Sequence, residues 1–182
     1  MAELCLSRDF EPKTWLLEAG TVAEWCYFLR SGLVRELYID ERGEEHTRTF
    51  LGEGQVTGSL IDLLSGAPAI TWIEALEPTR TWAFQYRDFD RLTAQYPELG
   101  RLARRSAELL ALRKTRREHE MLALSAEQRH QRWLDEHAAI DARINRRQLA
   151  SYLGVTPEHL SRLRRRTAAR AAPPPTRTRR RG

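Results

Sequence analysis

Cysteine is scarce in this chain: only Cys5 and Cys26 occur among 182 residues. They lie far apart, without the paired spacing of a zinc or redox motif, which excludes a disulfide scaffold and a cysteine-based metal centre. Free thiols in a reducing compartment are the expectation. Long apolar runs are missing as well; none approaches the ~18 residues of a membrane span. The start Met1-Ala2-Glu3-Leu4-Cys5 lacks the basic residues and apolar core of a signal peptide, so a cytoplasmic location away from membranes is expected. There is no glycine-rich phosphate loop, no nucleophile elbow and no metal-ligand pair at helical spacing, the histidines being scattered at 46, 119, 130, 137 and 159. These absences argue against an enzyme and imply neither a metal nor a cofactor.

What is present suits a folded domain that meets a polyanion. The hydrophobic fraction of 41% is ordinary for a protein with a buried core. The net charge is +5 and unevenly spread. From Met1 to Tyr96 acids are at least as frequent as bases, whereas from Arg101 onward arginine dominates. Basic side chains that neutralise phosphates release condensed counterions, so nucleic acid is the first candidate partner.

The first half reads as short strands broken by turns. Trp15-Leu16-Leu17, Cys26 to Leu29, Leu33 to Ile39, Thr47 to Leu51, Trp72 to Leu76 and Thr79 to Phe84 are strand-like, and Asp40-Glu41-Arg42-Gly43-Glu44 is a hairpin signal. Such a series implies a barrel or jelly roll. One short helix interrupts it at Ser59 to Gly66. After Tyr86 the period becomes helical, with a break near Pro97: a short helix at about 87–95 and a long one at about 98–123. On the long helix Ala103, Ala107, Leu110, Met121 and Leu124 offer one stripe for a helical dimer seam, interrupted by Lys114 and Arg117. Packing of that stripe on the chain's own barrel is the alternative. Ser125-Ala126-Glu127-Gln128 fits a capping box opening a further helix through about His137. Beyond Arg170 the Ala, Pro and Arg residues have too few apolar groups to fold and read as a disordered basic tail.

The most informative stretch runs from Arg146 to Arg166. Leu149, Ala150 and Leu153 form the apolar face of one helix, Gly154 stands where a tight turn needs positive φ, and Thr156 and Pro157 suit the cap and first position of a second. Leu160 and Leu163 give that second helix its buried face. Its other side chains are polar and mostly basic, as a helix in the major groove requires. Arg162 can bond a guanine edge, Glu158 can accept from a cytosine amine and Ser161 can reach base or phosphate. Arg146, Arg147, Thr156, His159, Arg164, Arg165 and Arg166 suit the backbone of double-stranded DNA, which positions the protein without reading sequence.

On these residues the chain resembles the CRP/FNR family of bacterial regulators, over about Trp15 to Arg166. The likeness rests on Tyr27-Phe28-Leu29-Arg30-Ser31-Gly32-Leu33-Val34-Arg35, the hairpin at Gly43, Gly58-Ser59-Leu60, and Ala150 through Arg162. Ile73-Glu74-Ala75-Leu76-Glu77 with Pro97-Glu98-Leu99 resembles a short-ended subgroup of Bacteroidetes-type bacteria. The resemblance implies an α+β protein: an N-terminal double-stranded β-helix or jelly roll of the cyclic-nucleotide-binding type over residues 1–96, a dimerisation helix over 97–124, a helix-turn-helix domain without a clear wing over 125–169, and the basic tail over 170–182. The helix that precedes the family's first strand has to fit within Ala2 to Glu11. Members that bind cyclic AMP present a glutamate and an arginine from their phosphate-binding cassette; here Ser59 and Ala69 stand at those positions, with Ile70 following. Gly58, Ser59, Leu60, Ala69 and Ile70 thus form a degenerate effector pocket, since losing the cation that faces a phosphate removes a charge-assisted pair. Two cysteines cannot supply the four ligands of the family's iron-sulfur sensors. Glu158, Ser161 and Arg162 match the positions that the FNR branch uses for a palindromic half-site. The resemblance implies a homodimeric DNA-binding transcription regulator, with RNA polymerase as a further partner and an unknown effector. A sensor whose helical domain contacts protein, and a small cytoplasmic enzyme, stay open as other readings.

Overall fold

The structure is a computed structural model that describes residues 5–171, with side chains through Thr167. Eight strands form: β1 (Leu6–Phe10), β2 (Trp15–Leu17), β3 (Trp25–Ser31), β4 (Val34–Ile39), β5 (Glu45–Leu51), β6 (Val56–Thr57), β7 (Trp72–Ala75) and β8 (Thr79–Gln85). They pair in two antiparallel four-stranded sheets, in the orders β1-β8-β3-β6 and β2-β7-β4-β5. The alternation in β8 shows why: Thr79, Thr81 and Ala83 are buried while Arg80 and Trp82 are exposed. A period of two puts one set of side chains on each face. The inward faces meet in a core of Leu16, Tyr27, Leu29, Val34, Leu51, Ile73, Ala75 and Ala83. Each fully buried Leu or Ile there contributes about 2 kcal/mol.

The structure changes the reading of the N-terminal segment. Leu6–Phe10, inside the stretch expected to hold a leading helix, is a strand that pairs with β8 from Leu6↔Ala83 to Phe10↔Thr79. It satisfies the ladder of β8, which would otherwise be an open edge, and Phe10 meets Tyr27 edge-on at 5.5 Å. The hairpin at Gly43 forms as expected. Its turn is closed by the Asp40 carboxylate, which accepts from the amides of Arg42 and Glu44 at 2.9 Å each. Within the β4–β5 pair the register slips between Glu36↔Thr49 and Leu37↔Thr47, leaving Arg48 as the extra residue of a bulge.

Six helices follow the alternations of period: α1 (Leu60–Ser65), α2 (Tyr86–Gln95), α3 (Pro97–Ala123), α4 (Ala126–Asp141), α5 (Arg146–Leu153) and α6 (Pro157–Ala171). Pro97 opens α3, where its missing amide loses no hydrogen bond. The apolar side chains that α3 leaves open are Leu102, Leu109 and Leu112, with Met121 and Leu122 at its end. That row overlaps the expected stripe only in part: Met121 and Ala107 of the stripe are exposed, while Ala103, Leu110 and Leu124 are half-buried. The capping box of Ser125 and Gln128 forms in both directions. α4 continues past His137, the expected end, through a kink at that residue (φ −132°, ψ 27°). Two contacts hold the extra turn: the His137 ring stacks on Trp133 at 4.6 Å, and Trp133 Nε1 donates to Asp141 at 2.7 Å. The tail expected from residue 170 lies outside the described residues from 172 onward, and α6 itself runs to Ala171.

Three positions give direct tests. Gly32 has φ +102°, and a Cβ there would fall 2.4 Å from Thr79 Oγ1. Gly32→Ala is therefore expected to lower the unfolding free energy by about 2–4 kcal/mol, backbone strain and overpacking each adding about 1–2; urea denaturation of the full chain reads this, and an unchanged midpoint would contradict it. His130 and His137 are held below the ordinary imidazole value of 6.5, in both cases chiefly by burial. Each thus folds neutral, and the unfolded chain takes up the proton first. Their contribution to stability is intact above the ordinary value and falls as pH drops through it toward the folded values. The melting temperature is expected to decline between about pH 7 and pH 5, with a shallower slope in His137→Gln; parallel slopes for the two proteins would count against this.

Candidate functional site

The helix-turn-helix is built as its residues dictate. Asn145 caps α5, accepting from the Gln148 amide at 2.9 Å while the Gln148 side chain accepts from the Asn145 amide at 3.0 Å. This reciprocal cap was legible as an Asn with a Gln three residues on. Leu149, Ala150 and Leu153 are fully buried on α5, and Leu160 and Leu163 on α6. Gly154 turns the chain at φ +65°, and a Cβ there would meet the Met121 methyl at 2.7 Å. Its freedom is needed for both conformation and space. The Thr156 hydroxyl accepts from the His159 amide at 3.2 Å, the expected cap.

With the leucines inward, α6 turns its polar side out. Glu158, Arg162, Arg165 and Arg166 are exposed, and His159 and Ser161 half-exposed. The Glu158 carboxyl is held below its usual range by its own amide, then by the Thr156 hydroxyl and the nearby Arg162. Ser161 Oγ donates to the Pro157 carbonyl at 3.0 Å. Arg146 and Arg147 are exposed in the first turn of α5, which carries no acidic residue. Their charges add to the positive end of the helix dipole. Arg164 sits apart from this face: both oxygens of Asp141 accept from its Nη2, at 3.0 and 3.1 Å.

The cassette residues gather at α1. Gly58 takes φ +145° beside the Trp25 carbonyl, and Ser59 precedes α1 without capping it. Ser59 and Ala69 are buried, while the Ile70 side chain is exposed. Ser59 Oγ lies 2.9 Å from Thr71 Oγ1. The buried Asp62 carboxylate accepts from the Ile70 amide at 3.2 Å. Burial pushes its pKa up, but the Ser59 and Thr71 hydroxyls and the Ile70 and Thr71 amides outweigh that and leave it lowered. The bulge aims Arg48 inward from β5, to 3.6 Å from Glu36 Oε2 and 3.4 Å from Thr71 Oγ1. Glu36 also accepts from Thr57 Oγ1 at 2.9 Å. None of Asp62, Arg48 and Glu36 stood out in the sequence, although two charges at inward positions of strands were a signal for a polar interior. A separate cavity of about 250 Å³ opens elsewhere, lined by Arg8, Trp15, Trp25 and Tyr27 among others. Among the described residues no cluster of His, Cys, Asp and Glu could hold a metal, and no helix is long and apolar enough to cross a membrane.

Sequence reasoning missed the junction between the barrel and the helices. Ser151 of α5 reaches the edge of β5, where its hydroxyl accepts from the Thr47 amide at 2.8 Å and donates to the Glu45 carbonyl at 2.5 Å. Arg143 donates to Glu53 at 2.8 and 3.1 Å and to Glu77 at 2.5 and 3.2 Å. Leu33 and Phe50 of the barrel share one buried cluster with Trp133, Leu149, Ala150, Leu153 and Leu160.

Comparison with known proteins agrees with this architecture. The cyclic nucleotide-binding domain family matches residues 7–96. The cAMP-activated global transcriptional regulator CRP of Pasteurella multocida (strain Pm70) is 32% identical over 106 residues, which cover 56% of this chain and 51% of that one. The chain thus spans about half the length of the curated relatives it matches, which are transcription regulators and not enzymes. FixK2 from Bradyrhizobium japonicum has the same fold, with a TM-score of 0.82 at 17% identity over 91% of this chain and 85% of that one. The c-di-GMP responsive global regulator CLP of Xanthomonas campestris follows at 0.74 and 18%, covering 92% and 88%. Residues 7–96 are thus similar to the cyclic nucleotide-binding domain family, and the chain as a whole shares the fold of FixK2 and CLP.

Proposed function

We propose that this chain is a DNA-binding transcription regulator that reads an inverted-repeat site as a homodimer. The observation that carries the reading is the division of α6: Leu160 and Leu163 are buried, whereas Glu158, Arg162, Arg165 and Arg166 are exposed behind a glycine turn. In this reading Arg162 forks onto a guanine edge, Glu158 accepts from a cytosine amine, and Ser161 completes the contact. Arg146, Arg147, Thr156, His159, Arg165 and Arg166 hold phosphates. Arg164, neutralised by its pair with Asp141, is left out of this phosphate set. Dimerisation uses the 97–124 helix through Leu102, Leu109 and Leu112, whose spacing is that of a heptad seam. A twofold axis would set two copies of α6 one helical turn apart on DNA.

The effector we propose is not cyclic AMP, the activator named for the Pasteurella relative. Ser59 and Ala69 bring no charge to the cassette, and the buried Asp62 carboxylate already takes the Ile70 amide there. An anion brought to this place meets a fixed negative charge in a region of low dielectric. RNA polymerase is the further partner such a regulator would need.

Selection from random duplexes is expected to enrich an inverted repeat with half-sites one helical turn apart. Arg162→Ala should reduce the preference for the selected site over random DNA about tenfold or more, as loss of a bidentate base contact does, whereas Arg166→Ala should weaken binding to both alike and lower the salt slope by about one. Enriched sequences without twofold symmetry, or an Arg162→Ala protein that keeps its preference, would refute the reading.

A further inference from the structure

Helix α5 reads no base in the reading above, yet three parts of the molecule converge on it. From the barrel, the edge strand β5 offers the Thr47 amide and the Glu45 carbonyl, and one hydroxyl, that of Ser151, satisfies both. An edge strand normally finds such partners in another strand. From α3, Arg117 donates to the Tyr152 carbonyl and lies 4.0 Å over the Tyr152 ring. From α4, Arg129 donates to the Leu153 carbonyl at 3.0 Å. The two carbonyls lie in the last turn of α5, where cations are favoured.

A second contact ties the same block to three barrel turns. The Arg143 guanidinium forks onto Glu53 and Glu77, which lie in the β5–β6 and β7–β8 turns. Glu53 Oε1 in turn accepts from the Gly32 amide in the β3–β4 turn at 3.0 Å. The Arg143 fork and then the backbone contacts draw the Glu53 pKa down to about 2. This group is stabilising above its ordinary range, and the contribution declines as pH falls from there toward about 2, so the fork is complete at neutral pH. Beneath both contacts Phe50 meets Trp133 at 5.6 Å and Tyr152 at 5.7 Å.

We infer that Ser151 and Arg143 are positioning residues that fix the recognition helix to the β5 edge and the barrel turns, so that the dimer holds its two reading helices at one set spacing. The inference rests on the DNA-binding reading for its consequence, though not for its geometry. A helix-turn-helix domain free to swing on the Leu124–Ser125 joint between α3 and α4 would have to be ordered anew on each half-site. That ordering weakens binding of the second half, as any loss of preorganisation does. It also blurs discrimination between correctly and incorrectly spaced half-sites, because a swinging domain can follow either.

The test uses the full-length chain with Ser151→Ala, Arg143→Gln and the surface pair Glu53→Gln with Glu77→Gln. Arg162 and the rest of α6 stay intact in all of them. Affinity is measured for the selected inverted repeat, for the same repeat with its half-sites moved apart by two base pairs, and for random DNA. Each variant is expected to bind the correctly spaced site about tenfold more weakly, to narrow the gap between the two spacings, and to leave binding to random DNA unchanged. Mere loss of folded protein would lower all three together. Calorimetry gives an arm independent of DNA: the wild type should unfold in one transition and the Arg143→Gln protein in two. If the variants keep the spacing preference and the single transition, the inference fails. Should the wild type prefer no inverted repeat, the DNA reading fails, and calorimetry alone decides whether Arg143 couples the domains.

Discussion

One hydroxyl group sets the relation between the two halves of this molecule. Ser151 stands at the open edge of β5 and gives both the Thr47 amide and the Glu45 carbonyl a partner. A buried amide or carbonyl without a partner is destabilising by about 1–3 kcal/mol, so this edge needs either another strand or a side chain that can donate and accept at once. Serine does both with one short side chain. The helix that carries it is thereby held in register with the sheet, and the reading helix α6 packs on that helix through Leu160. The chain of contact runs from the β4–β5 pair to α5 and on to the face that bears Arg162.

The apolar surface around that hydroxyl decides how firm the relation is. Leu33 and Phe50 belong to the outward side of the barrel, yet they are buried, and their cover is Trp133, Leu149 and Leu153. Barrel and helix-turn-helix therefore share a core. Aromatic edges at 5.0 to 5.7 Å among Phe50, Trp133 and Tyr152 give this core a preferred geometry as well as area. The kink at His137 belongs to the same arrangement, because its ring lies flat on Trp133 at 7° between planes. Breaking the helix there brings Asp141 to Trp133 Nε1 and to Arg164. Arg164 thus braces α6 from behind, while Arg162, Arg165 and Arg166 stay on the open side.

How much of this was legible in the sequence depended on how local its cause was. The cap at Ser125, the turn at Gly154 and the buried pairs of α5 and α6 follow from patterns within a few residues, and the structure has them where the patterns put them. Strands with strict alternation, such as β8, were equally plain. β1 was not, because its role comes from the edge of β8, more than seventy residues away in Leu6↔Ala83. The exposed row on α3 overlaps the stripe read from the sequence only in part: Ala107 and Met121 are exposed along with Leu102, Leu109 and Leu112, while Ala103 and Leu110 are half-buried. Arg143 gave no sign at all, since its partners Glu53 and Glu77 become neighbours only when the barrel turns are folded.

The cassette shows the same limit from the other side. Sequence comparison marks what Ser59 and Ala69 lack, but it does not show what has replaced it. In the folded chain the part of the interior beside the cassette is polar: Glu36 accepts from Thr57, Arg48 reaches Glu36 and Thr71, and Thr71 meets Ser59. The bulge in β5 is what brings Arg48 there, since without the extra residue its side chain would follow the alternation of the strand. The next turn of that strand toward its start holds Thr47 and Glu45, the groups that Ser151 binds. One irregularity in β5 therefore stands beside both the polar interior of the barrel and the contact that orients the reading helix.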